Sequence, residues 1–182
     1  MNDRKESVGR SWLILISGIA LLAGVYFLNP LRSPDNTFMG RVLGFRVLRI
    51  PCVSMQPTMQ AGQTFIVSAW PYAFGAPRTG DVVVFQYRFD PTVLYAKRII
   101  GTPGSRVAIV NGVTTLNGVP LAENYLKNVP RNDPNFPNSG PWTVPAGQYF
   151  VMGDNRVNSE DSRVYGPIGG DTIVGKVIGL AD

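Results

Sequence analysis

Ser54 lies in the stretch PCVSMQPTM, residues 51–59, of a chain that contains no histidine. A serine hydroxyl attacks well only beside a base, so if Ser54 is a nucleophile something other than imidazole must take its proton. The missing histidines and the single cysteine, Cys52, exclude a Ser/His/Asp triad, a Cys/His dyad, an internal disulfide and a His or Cys zinc site. A metal would need oxygen ligands alone. The best run for that, residues 154–158, carries Arg156 at its third position, where a guanidinium repels calcium, so no metal and no cofactor is expected. Neither a G-x-S-x-G elbow nor an S-x-x-K motif surrounds any serine.

Lysine, aspartate and glutamate remain as bases. A lysine serves only when neutral, which requires lowering its pKa from about 10.4 to about 7–8, a shift of roughly 4 kcal/mol. The chain has four lysines, Lys5, Lys97, Lys127 and Lys176. Lys97 fits best: in VLYAKRII it alternates with Val93, Tyr95 and Ile99, so as a strand residue it points with an apolar face, and Arg98 is its cationic neighbour. Burial and a nearby cation both favour the neutral amine. Lys176, set among apolar residues near the C-terminus, is a second candidate. On spacing alone Lys97 also reads as a strand lysine that snorkels to solvent, and Ser54 as a turn serine bonded to backbone.

The elements that must position these groups divide into an anchor and a β domain. Residues 12–28, WLILISGIALLAGVYFL, carry no charge, and at about 1.5 Å per residue they give roughly 25 Å of helix, enough to span a bilayer at the short end. Trp12 and Tyr26 fall near the two ends, at headgroup level. A buried core helix is the bland alternative and a cleaved secretory signal the sharper one, since Arg4, Lys5 and Arg10 precede the run. The run is long for a signal and no A-x-A follows it, so it is read as a retained single-pass anchor. On this reading residues 1–11 are cytoplasmic and residues 29–182 form an extracytoplasmic domain.

From Thr64 onward short β-branched and aromatic runs alternate with turn residues: TFIVSAW, DVVVFQY, VLYAKRII, RVAIV, QYFVMG and DTIVGKVIGL. Asn111-Gly112 and Asn117-Gly118 flank VTTL as two successive hairpin turns. No long amphipathic helix follows the anchor, and the fold class is mainly β with antiparallel sheets. Residues 128–141, NVPRNDPNFPNSGP, read as a proline-rich loop. With 45% hydrophobic residues the chain can bury a core, and its net charge of +5 favours anionic partners. The basic residues are scattered and no nucleic-acid module is present, which leaves anionic lipid as the better partner.

Four ordered blocks go beyond spacing: SMQPT at 54–58, GDVVVF at 80–85, KRIIGTPG at 97–104 and GDNRVNSEDSR at 153–163, the last being the most specific. In this order, behind an N-terminal anchor, they resemble the bacterial type I signal peptidases, or leader peptidases. The resemblance implies a Ser/Lys endopeptidase of the bacterial cytoplasmic membrane that removes signal peptides after small residues at A-x-A positions. Ser54 matches the family nucleophile and Lys97 its general base. Ser159 matches a serine that bonds the lysine amine and orients it. Asp154, Arg156, Asp161 and Arg163 match ion-paired supports of the site.

The oxyanion donor implied is the Ser54 backbone N–H. Many relatives add a serine hydroxyl where this chain has Cys52, a weak thiol donor that reads equally well as a small buried hydrophobe. Ser105 replaces an aspartate common after the P-G turn. Shallow pockets for small side chains are expected around Met55, Phe85 and Tyr95, with an extended substrate added to a strand edge. The rival readings are a self-cleaving repressor-type Ser/Lys peptidase, a dedicated pilin-type processing peptidase, and a catalytically inactive anchored β module for secretion or pilus assembly.

Overall fold

The apolar runs build one exposed helix and two antiparallel sheets. The computed structural model describes residues 2–29, 38–49, 51, 53–126, 133–134 and 136–181. Helix α1, Asn2–Leu28, contains an 18-residue stretch, Ser11–Leu28, of mean hydropathy 2.1, none of which is buried against the rest of the protein. A helix segment apolar on all sides and largely exposed suits lipid as its solvent. Beyond it a single helical turn, Met39–Leu43, ends at Gly44, whose φ of +70° turns the chain into the first strand. Tyr26 stacks on Phe38 with ring centroids 6.4 Å apart, and the Arg41 guanidinium lies 5.1 Å from the Tyr26 centroid.

The strands are β1 Phe45–Arg49, β2 Thr64–Ser68, β3 Val82–Tyr87, β4 Asp90–Gly101, β5 Arg106–Val110, β6 Val113–Leu116, β7 Val119–Pro120, β8 Ser139–Thr143, β9 Gln148–Met152, β10 Ile168–Gly169 and β11 Ile173–Ala181. Seven of them form one sheet in the order β1-β2-β11-β3-β4-β9-β10, and four form a second, β7-β6-β5-β8, with every pair antiparallel. Asn111 and Asn117 take φ of +50° and +53°, each followed by a glycine of positive φ, so both Asn-Gly pairs make the tight turns that match strand twist. β8 takes up the last residues of the proline-rich stretch, and residues 127–132 and 135 lie outside the described residues.

Alternation along the central strands sorts side chains between three cores. Val83, Phe85, Ile99 and Val151 fill one face of the large sheet, and Phe65, Val67, Val84 and Ala96 fill the other together with Met55 and Met59. Ile100, Val107, Phe150 and Met152 pack with Phe136 over the small sheet. β4 is long and β9 is short: their register runs only from Arg98↔Met152 to Gly101↔Phe150. Where β9 stops, the chain turns into the 153–163 loop, and β4 continues past it as an open edge that begins at Lys97.

Candidate active site

Three segments converge on that open edge. The turn at 53–59 is closed by backbone bonds from Gln56 N–H to Val53 O (3.1 Å) and from Met59 N–H to Met55 O (3.0 Å), which leaves Ser54 at its start. Burial of Met55 and Met59 in the core holds the turn against the sheet. Lys97 arrives on β4 and the 153–163 loop on β9. Lys97 Nζ lies 2.7 Å from Ser54 Oγ, and the two residues are 3% and 4% exposed. The amine also stands 5.2 Å from the centroid of the Tyr95 ring.

The loop approaches closely because position 153 has no side chain. Asn155 N–H donates to Ser54 O at 3.0 Å. A Cβ on Gly153 would lie 2.2 Å from Ser159 Oγ and 2.5 Å from Ser54 O, inside any allowed contact. Asp161, fully buried, ties this loop together. Its carboxylate accepts from Gly153 N–H at 3.0 Å and Ser159 Oγ at 2.8 Å, and takes Arg163 Nε and Nη2 as a fork, each at 2.8 Å. Such bidentate, charge-assisted bonding offsets the cost of a buried carboxylate.

Asp154 and Arg156, earlier in the same loop, find other partners. Asp154 accepts Arg98 Nε at 2.9 Å and Nη2 at 2.7 Å, and also the Thr58 hydroxyl at 2.5 Å. Arg98 therefore does not sit beside the Lys97 amine as a cationic neighbour. Adjacent strand residues face opposite ways, so its guanidinium crosses to the other side, is neutralised by Asp154 and lies 3.8 Å from the Tyr125 ring centroid. Arg156 pairs with Glu123 and donates to Thr114 Oγ1 at 2.7 Å. Sequence reasoning did not single out Arg98 as an ion-pair partner, nor Thr58, Glu123 or Tyr125. The available signal was an arginine inside an apolar strand, which requires a buried acceptor.

Lys176, the second candidate base, is engaged elsewhere: its amine meets Asp81 Oδ1 at 2.6 Å. Burial alone would raise the Asp81 pKa, but hydrogen bonds from Lys176, Arg78 N–H and the Tyr72 hydroxyl outweigh it and hold the carboxyl below its ordinary value. The same environment pushes the Tyr72 phenol far up, through burial first and then the Asp81 charge. Ser105 Oγ closes back on Thr102 O at 2.5 Å, so the substituted position still completes its turn. Cys52 and Lys127 lie outside the described residues.

Beside the Ser54–Lys97 contact opens a cavity of about 370 Å³. Pro51 and Val53 wall it from the turn, residues 93–97 from β4, and Asn158 and Glu160 from the loop. Tyr95 lines it, whereas Met55 and Phe85 are core residues, 3% and 0% exposed. Among the described residues no cluster of three or more Cys, Asp or Glu could hold a metal ion. The arrangement is an amine and a hydroxyl in contact, shielded from water, at the end of an unpaired strand edge.

Comparison with known proteins points to one family. A family profile described as "Signal peptidase, peptidase S26" matches residues 12–180. The chain is 37% identical to Signal peptidase I of Bacillus caldolyticus over 188 residues, covering 97% of this chain and 92% of that protein. It is 38% identical to Signal peptidase I of Leptolyngbya laminosa over 136 residues; that match covers 71% of this chain but only 64% of the relative's length. The crystal structure of a signal peptidase I from Enterococcus faecalis superposes with a TM-score of 0.51 at 32% identity, over 57% of this chain and 98% of that one.

Proposed function

The chain belongs to the signal peptidase family, peptidase S26, and from that membership we propose that it is a membrane-anchored serine endopeptidase that removes N-terminal signal peptides from exported preproteins. The observation that carries the reading is the buried 2.7 Å contact between Lys97 Nζ and Ser54 Oγ. A buried amine is favoured in its neutral form, and a neutral amine can accept the serine proton. As Oγ attacks the scissile carbonyl, Lys97 takes that proton and then passes it to the departing amine, leaving an acyl-enzyme. Water, deprotonated by the same amine, releases the signal peptide. The oxyanion faces the Ser54 backbone N–H, with Cys52 as a candidate second donor.

Ser159 acts as a positioning residue. Its proton is committed to Asp161, so its oxygen has only lone pairs to offer. An amine N–H directed at that oxygen leaves the amine's own lone pair for Ser54. Asp161 and Arg163 fix Ser159, and Asp154 fixes the Ser54 turn through Thr58 while holding β4 through Arg98. Arg156 fixes the loop to the small sheet through Glu123 and Thr114.

The substrate enters as an added strand along the open edge of β4, whose walls of Pro51, Val53, Leu94 and Ala96 admit small apolar side chains. Helix α1 holds the domain at the cytoplasmic membrane in a single pass, with the catalytic domain on the extracytoplasmic side. Exposed Leu43, Phe45, Val47, Val53, Trp70 and Phe74 give the domain further apolar surface for lipid.

The test is cleavage of a preprotein by the full chain in detergent or vesicles. The parent releases product at the A-x-A junction, and Ser54→Ala leaves the preprotein intact with an unchanged melting temperature. Cleavage that survives the substitution removes Ser54 from its role. A parent protein that cleaves no preprotein supports the inactive β module instead.

A further inference from the structure

The cavity beside the nucleophile holds one basic and one acidic residue among those that line it, Lys97 and Glu160. The reaction requires Lys97 to be neutral before it takes the serine proton, so as substrate binds the Glu160 carboxylate is the charge that remains in the lining. No ion pair neutralises it among the described residues. Its hydrogen-bond partner is the Tyr87 hydroxyl, at 3.4 Å, the weak end of the range. The nearest arginine in sequence, Arg163, is taken by Asp161 through both Nε and Nη2. Glu160 is exposed, at the solvent side of the cavity, while Ser54 and Lys97 are buried.

Aromatic rings complete the environment. Tyr95 lines the same cavity, and Tyr87 stacks on it with centroids 4.6 Å apart. A carboxylate beside aromatic faces is a setting for an organic cation, which gains from both the charge and the ring quadrupole. An acidic side chain brought there would meet like charge in a partly dehydrated cleft, where the repulsion is less screened than in bulk water.

We propose that Glu160 is a specificity-determining residue that favours substrates with a basic side chain within two residues of the scissile bond and disfavours those with an acidic one. The proposal rests on the peptidase reading above and adds to it a charge preference set by this chain's own loop. The small apolar walls choose the side chains on the acyl side. Glu160 acts on a residue within two positions of the bond that is cut.

The experiment uses the full-length protein and a set of peptides with small apolar residues at the two A-x-A positions. Lys, Gln or Glu is placed in turn at the residue between them and at each of the first two residues after the scissile bond. At one or more of these positions the parent should prefer Lys over Glu in kcat/KM by about fivefold at low salt, with the ratio falling as salt screens the pair. Glu160→Gln should bring that ratio close to one, and Glu160→Lys should invert it. Each ratio is taken within one protein preparation, so partial loss of folded enzyme does not affect it. A parent that cleaves the Gln peptides without preferring Lys at any position overturns the charge role and leaves the peptidase reading intact. A preference that persists in Glu160→Gln also overturns it. A parent that cleaves none of the peptides removes the peptidase reading itself, and this inference with it.

Discussion

Lys97 and Lys176 occupy one row of the large sheet: Val83 of β3 pairs with Lys97 of β4 on one side and with Lys176 of β11 on the other. Both lie in apolar strand runs, VLYAKRII and TIVGKVIGL. Their surroundings differ in the group delivered to the amine. At Lys97 a turn brings a hydroxyl, and the lysine is buried; at Lys176 the start of β3 brings a carboxylate, and 37% of the lysine side chain remains exposed. An amine that donates its hydrogen bond to a carboxylate offers no lone pair to a hydroxyl. Strand position thus supplies a lysine, and the partner from another segment decides what chemistry it has.

The largest effect comes from making both lysines arginine. A guanidinium does not deprotonate at any working pH, yet it can still pair with Asp81. Lys97→Arg should lower the rate by roughly 10³-fold, the scale of a lost general base. Lys176→Arg should stay within a few-fold of the parent. The parent's rate should rise with pH as Lys97 loses its proton, and Lys176→Arg should leave that profile unmoved. A dead Lys176→Arg beside an active Lys97→Arg would exchange the two roles.

A second pair of substitutions tests the same contrast through the backbone. Gly153 lies under the dyad and Gly175 precedes Lys176, and at both a Cβ would collide with a carbonyl oxygen at 2.5 Å, Ser54 O in one case and Ser68 O in the other. The collisions are alike but the consequences should not be. Gly153→Ala pushes the loop away from Ser54 and Ser159, and a displacement of that size should cost about 10²-fold in kcat. Gly175→Ala distorts the β2–β11 pairing and should cost about 1–3 kcal/mol of stability while the folded fraction keeps its kcat. Kinetics and thermal unfolding on both variants separate the outcomes. Equal losses of kcat would mean that the site has no special need for Gly153.

The contrast also explains which parts of the structure could be read from the sequence. Strand β5, RVAIV, and the two Asn-Gly turns were legible because their signals are local. β1 was not, because it is an edge strand whose alternation runs between exposed and half-buried residues, with Arg46 and Arg49 in place of apolar ones. The two lysines could be found but not ranked with certainty by pattern, since Ser54 is 43 residues from Lys97 and Asp81 is 95 from Lys176. Arg98 shows the same limit. Its neighbour in sequence is the proposed base, but its partner is Asp154, 56 residues away on the opposite side of the strand. Glu123 and Tyr125 have no pattern at all that points to Arg156 and Arg98; only the packing of the small sheet against the loop brings them together.

The smallest expected effect lies on the side of Lys176, and it has a definite sign. Burial pushes the Asp81 carboxyl up, but the bonds from Lys176, Arg78 N–H and Tyr72 prevail, so its folded value lies below the unfolded one of about 3.9. Such a group stabilises the fold fully above the unfolded value, and the contribution is lost as pH falls through the folded value. Replacing Lys176 by methionine removes the largest of those bonds, so unfolding free energy should fall less steeply below about pH 4 in Lys176→Met than in the parent. The pair is partly open to solvent, and the difference should not exceed about 1 kcal/mol. Lys97→Met should flatten the acid slope less than Lys176→Met does, because the hydrogen bond it removes goes to a hydroxyl, Ser54 Oγ, and not to a carboxylate. Denaturant titrations at several pH values between 2 and 6 measure all three slopes, and an acid slope flattened by Lys97→Met rather than Lys176→Met would mean that the carboxylate partner had been assigned to the wrong lysine.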